Sequence, residues 1–154
     1  MNQDIVQLIT GFLGSAGFAL VFNVRLKNLL APSLNGLFTT GIFLLMFRFY
    51  SNYFIACFVA SAFSALFGEV LARIKKTPAS VFFIPGVVSL IPGGALFYTM
   101  SYAVKKDWIN CKMYGFLTME YALGIACGIS IAWALWYMVQ KMITNMVKGS
   151  KTEI

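Results

Sequence analysis

Apolar residues along this chain gather into five long runs, near residues 5–24, 32–49, 52–74, 80–104 and 115–139, with short polar connectors between them. Each run reaches or approaches the roughly 20 residues a helix needs to cross hydrocarbon. The pattern predicts an all-α integral membrane protein with about five transmembrane helices. They form one compact domain over residues 1–147, followed by a polar tail at 148–154. The second run is the weakest, with Asn35 inside it and Arg48 near its end. Pro32 and Pro78 fall at or just before helix starts, where proline is tolerated. Thr77 is a candidate N-cap for the fourth helix. The first run has no basic leader, carries Asp4 and shows no clear cleavage site, so it reads as a retained helix.

The fourth run differs from the others. Residues 81–98 read VFFIPGVVSLIPGGALFY, with Pro85-Gly86 and Pro92-Gly93 seven residues apart. An interior proline removes a backbone hydrogen bond and clashes with the preceding turn, at roughly 3 kcal/mol. Glycine adds about 1 kcal/mol. In lipid the freed carbonyls find no water, so such a segment needs neighbouring helices or a wet cavity. Interrupted membrane helices are also where many transporters bind solute. Pro85, Gly86, Pro92, Gly93 and Gly94 are therefore candidates for a substrate path, with Ser89 and Tyr98 as solute contacts. A Ser89 hydroxyl that caps its own helix is the plainer alternative.

Small residues recur at four-residue spacing. The third run carries Ala56, Ala60, Ser64, Gly68 and Ala72. The fifth carries Ala122, Ala126, Ser130 and Ala134, with Gly124, Gly128 and Ala132 as a second stripe. Gly11, Ser15 and Ala19 mark the first. This spacing puts them on one helix face, where backbones approach closely. The fifth helix, with two stripes, has faces for two packing partners.

Composition supports the membrane reading. The chain is 60% hydrophobic and 11% charged, whereas soluble domains carry about 25% charged residues. The net charge of +7 lies between apolar runs rather than on one face, which argues for membrane orientation and against nucleic acid. Connectors on one side hold eight Lys and Arg, including Arg25, Lys27, Arg73, Lys75, Lys76, Lys141, Lys148 and Lys151; the other side holds four, Arg48, Lys105, Lys106 and Lys112. The richer side reads as cytoplasmic, which places the N-terminus outside and the C-terminus inside. The segment from Lys105 to Lys112 dissents and reads as interfacial, with Trp108 and Tyr114 as headgroup anchors. Histidine is absent, Cys57, Cys111 and Cys127 are far apart, and no catalytic or phosphate-binding motif occurs. The sequence thus points away from an enzyme, and no metal or cofactor site is expected.

Two carboxylates fall inside apolar runs. Glu69 has Arg73 at i+4, so a local ion pair competes with a role in proton coupling. Glu120 has no basic residue at i±4 and is the stronger candidate for proton coupling. Arg48 sits among Phe47, Phe49, Tyr50 and Tyr53, the setting of a snorkelling interfacial arginine. Arg25 and Lys27 are positive-inside charges that could also attract an anionic solute.

GFALVFNVRLKNLL (residues 17–30), FGEVLAR (67–73) followed by Pro78, and SLIPGGALFYTMSYAV (89–104) resemble, in order and spacing, motifs of the threonine/serine exporter-like family. Arg25 stands where that family usually has proline, and Ser89 where a proline often precedes Pro-Gly. The resemblance implies one half of an exporter built from two homologous membrane halves, here a short subunit similar to the C-terminal half. It implies a larger homologous subunit as partner, in a hetero-oligomer or higher assembly in the bacterial plasma membrane. It also implies proton-coupled export of a small carboxylate-bearing metabolite, threonine, serine or a dicarboxylate such as succinate. The alternative is a subunit that assembles or gates a larger complex without touching solute.

Overall fold

A computed structural model describes residues 2–24 and 28–149. Among them the chain is helical: α1 (Asn2–Val21), α2 (Leu30–Tyr50), α3 (Tyr53–Lys75), α4 (Ser80–Val88), α5 (Gly93–Val104) and α6 (Trp108–Gly149). Four of these are long and apolar enough to cross a membrane; α4 and α5, bent by 57° at their junction, together make a fifth span. The all-α bundle of about five spans read from the sequence is the architecture found. Arg25, Lys27, Lys151 and the side chain of Lys148 lie outside the described residues.

The order of packing follows the small residues. Ala56, Ala60, Ser64, Gly68 and Ala72 of α3 are all buried. A Cβ on Gly68 would come within 2.7 Å of the Phe83 Cβ and 3.1 Å of its backbone nitrogen, so α4 lies directly on that glycine. The opposite side of α3 meets α6. There a Cβ on Gly124 would come 2.7 Å from the Phe54 carbonyl, and one on Gly128 would strike the Ser61 hydroxyl and the Phe58 carbonyl. Ala132 continues that face at 1% exposure. The other stripe of α6, Ala122, Ala126, Ser130 and Ala134, is exposed along the outside of the chain. Between α1 and α2 the contact is closer still. A Cβ on Gly11 would strike the Thr40 hydroxyl, and one on Gly36 would strike Ser15.

Helix ends are marked by local chemistry. The Asn52 side chain caps α3 by accepting from the Ile55 amide at 3.2 Å, and Lys76 closes α3 in the left-handed region at φ 50°. Thr77 does not cap α4. Ala79 occupies the cap position, and the Thr77 hydroxyl is buried without a hydrogen-bond partner. The Pro78 carbonyl instead accepts from the Val81 amide at 3.2 Å. The connector at Lys105 is also shorter than a separate interfacial segment. It is a tight turn with Lys106 at φ 59°, and α6 begins at Trp108. The Asp107 carboxylate accepts from the Asn110 side chain at 2.7 Å and from its backbone amide at 3.3 Å. These hydrogen bonds, the side-chain one foremost, hold its pKa below the ordinary aspartate range.

Candidate functional site

The weakest apolar run forms α2, which packs on α1, α3 and α4. Asn35 explains how it tolerates lipid. It is fully buried, and its amide donates to the Ser64 carbonyl at 3.2 Å, the Ser64 hydroxyl at 3.0 Å and the Phe82 carbonyl at 3.2 Å. A buried amide without partners would cost several kcal/mol, so these bonds fix α2, α3 and α4 together. Gly86 makes room for this, since a Cβ there would lie 2.6 Å from the Asn35 amide nitrogen and 2.7 Å from the Ser64 hydroxyl. The Ser15 hydroxyl of α1 donates to the Pro85 carbonyl at 2.8 Å. The first Pro-Gly pair is thus a packing joint inside α4, where Pro85 sits without ending the helix.

The second pair makes the break. After Val88 the backbone tightens: Leu90 donates to Val87 at 2.9 Å and Ile91 to Val88 at 3.2 Å. The Ser89 hydroxyl donates to the Gly86 carbonyl at 2.9 Å, which satisfies a carbonyl left over at the helix end. Pro92 has no amide to extend the ladder. Helix α5 restarts with the Leu96 amide on the Pro92 carbonyl at 3.0 Å. Pro92 supplies no side-chain cap, and Gly93 and Gly94 have open space where a Cβ would stand. The first-turn amides of Gly94 and Ala95 therefore have no side-chain cap.

This break forms one wall of a cavity of about 570 Å³, a size typical of small-molecule sites. Gln7, Thr10 and Gly11 of α1 line it with Thr40 and Phe43 of α2, residues 89–95, Tyr98 of α5, and Tyr114, Leu117 and Tyr121 of α6. These are the N-terminal half of α1, the C-terminal half of α2 and the N-terminal half of α6. The cavity thus lies in the half of the bundle that carries the N-terminus. None of its described lining residues is acidic or basic.

Of the residues singled out in the sequence, Ser89, Pro92, Gly93, Gly94 and Tyr98 come together in this cavity. Pro85 and Gly86 lie outside it, in the buried joint with Asn35, Ser64 and Ser15. Glu69 is half-buried on α3, and neither glutamate lines the cavity. Arg73 lies over the Trp136 ring, 5.2 Å from its centroid, and no ion pair joins it to Glu69 among the described residues. Glu120 is exposed on α6, one turn before the buried Gly124. Tyr114, read from the sequence as a headgroup anchor, lines the cavity. It packs on Tyr98 at 5.2 Å and Tyr102 at 5.6 Å. Gln7, Thr10, Thr40, Tyr114 and Tyr121 complete the cavity and were not singled out for it. Their only sequence signal is polarity or aromaticity near one membrane face, which many interfacial residues share.

The break, the cavity and the apolar bundle describe a membrane transporter, and comparison with known proteins gives its kind. The family model for Threonine/Serine exporter, ThrE, matches residues 7–135. The chain belongs to this exporter family. The match takes in every cavity-lining residue, from Gln7 to Tyr121. No curated protein matches the chain, nor does any solved structure. Membership makes the chain a multi-pass membrane protein of a transporting, not an enzymatic, family.

Proposed function

We propose that the chain exports threonine, serine or a close neutral analogue, and that the solute sits in the cavity beside the α4–α5 break. The observation that carries this reading is the pairing of first-turn amides that have no side-chain cap with a cavity free of ionised side chains. The amides of Gly94 and Ala95 suit a carboxylate, because a helix N-terminus combines free donors with a favourable dipole. A zwitterion enters such a site at zero net charge. A dicarboxylate brings a second negative charge for which the described lining has no cation, so succinate is the poorer fit.

The same reading makes the chain one subunit of a two-part exporter in the bacterial plasma membrane, N-terminus outside, paired with a larger homologous membrane chain. What supports a partner is the outer face of α6. Its stripe of Ala122, Ala126, Ser130 and Ala134 is exposed, and small-residue stripes let helices approach closely in lipid. Glu120 is exposed on the same helix. An intramembrane carboxylate facing lipid is costly, so a second chain gives it a polar neighbour. In this scheme Glu120, and after it Glu69, couples export to protons from outside the cavity.

The test is efflux of radiolabelled threonine from loaded cells, with the chain expressed alone and with a larger family member. The expected result is efflux with both chains, inhibited by excess unlabelled serine and not by succinate. Equal or stronger inhibition by succinate contradicts the neutral-solute reading. Glu120→Gln should abolish gradient-driven flux while the complex still assembles, and normal flux in that variant ends its coupling role.

A further inference from the structure

The cavity is lined by three tyrosines, and these belong to two stacked aromatic groups. Tyr98 and Tyr114 stand 5.2 Å apart, centroid to centroid, and Tyr102 backs both at 6.3 and 5.6 Å. Two turns further along α6 than Tyr114, Tyr121 packs on Tyr53 at 5.1 Å and on Phe43 at 5.9 Å. Ring faces attract cations through their quadrupole, most strongly where water is excluded. One end of the first group already holds a cation, since the Lys105 ammonium lies over the Tyr102 ring at 5.8 Å.

A solute ammonium in this cavity meets no carboxylate, because none of the described lining residues is acidic. Glu120 is exposed on α6 and does not line the cavity, and Asp4 lines a separate cavity beside Arg48. A buried cation without compensation is costly. Tyr98 is placed to compensate it. It lies four residues beyond Gly94 on α5, so both share a helix face about one turn apart. A carboxylate at the Gly94 and Ala95 amides leaves the ammonium of an α-amino acid within reach of that ring.

We propose that Tyr98 and Tyr114, with Tyr121 two turns along α6, form an aromatic ammonium subsite that makes the cavity selective for cation-bearing solutes and tolerant of methylated amines. The proposal rests on the exporter reading for its natural solute, but not for its chemistry. An ammonium site built from carboxylates or carbonyls uses N–H donors and rejects a quaternary amine. A site built from ring faces needs no N–H and keeps it.

The experiment uses the full chain, purified in detergent and also in membranes. Binding of tetramethylammonium is measured directly, and its competition with labelled threonine is scored beside that of glycine betaine and lactate. The expected result is binding of tetramethylammonium, and competition by betaine but not by lactate. Tyr98→Leu and Tyr114→Leu should each weaken it roughly 10-fold, the scale of a desolvated cation–π contact, and Tyr98→Phe should weaken it much less. No tetramethylammonium binding by the unaltered protein overturns the subsite; so does binding that neither leucine variant changes. If threonine is still exported in that case, the exporter reading stands without the subsite. Tetramethylammonium binding that follows the tyrosines in a protein that exports no threonine keeps the subsite and removes its assigned solute.

Discussion

Asn35 joins three helices through one side chain, and its place shows how a polar residue survives in an apolar bundle. The three hydrogen bonds its amide nitrogen donates reach residues 29 and 47 positions away. In the sequence it is only an irregularity that weakens the second run. Polarity at that position was legible; its partners were not, because they come from distant segments. The same holds for Pro85, which looks as disruptive as Pro92 in sequence. Asn35, Ser15 and Gly86 surround it with donors and space, so α4 continues through it. Asn35→Leu should destabilise the bundle by about 1 kcal/mol, through the carbonyls and hydroxyl it leaves without a donor. Thermal unfolding in detergent measures this, and an unchanged midpoint argues against the joint. Gly128→Leu should cost more, on the order of 3 kcal/mol, because its added side chain meets the Phe58 carbonyl, backbone that cannot turn aside, as well as the Ser61 hydroxyl. Gly17→Ala, where nothing lies within 4 Å of the new carbon, should not lower the same midpoint and should raise it slightly through helix propensity.

Among the elements, the broken fourth span carries the functional argument. Its two halves have different neighbours. Helix α4 is held by α1, α2 and α3, while α5 packs chiefly on α6 and has no buried residue. Run lengths and proline positions made the interruption legible. They left its position between two Pro-Gly pairs open, because only packing distinguishes a satisfied proline from a breaking one. Pro92→Ala restores an amide at the break and should reduce threonine efflux by about 10-fold or more. Efflux equal to the unaltered chain would detach the break from transport. The start of α6 gives a pH prediction. The hydrogen-bonded Asp107 has a folded pKa below its unfolded value, so its stabilisation is present above the unfolded pKa and is lost as pH falls through the folded one. Helicity followed by circular dichroism should hold from neutral pH to about 4 and decline only below it. Asp107→Ala should remove that component of the acid transition.

At the scale of the whole molecule, five apolar runs and their small-residue stripes were enough to read a helical membrane bundle. The positions of the stripes were legible because four-residue spacing fixes a helix face. Which stripe meets which helix was not, since both stripes of α6 look alike in sequence. One is buried on α3 and the other is left on the outside. The cavity was only half legible. Its α5 wall lies in one continuous motif, but its other walls come from α1, α2 and α6, each contributing two or three ordinary residues. The exporter reading joins these parts into one claim: that the solute occupies the space between the break and α6.

The most direct test is alkylation of an Ala95→Cys variant, made in a chain whose native cysteines are replaced, with and without threonine in the membrane suspension. Ala95 lines the cavity beside the first-turn amides of α5. The account predicts that threonine slows labelling in a saturable way, roughly 5-fold or more at full occupancy, and that succinate does not. A labelling rate unaffected by threonine, in a protein that exports it, would place the solute elsewhere and contradict the account.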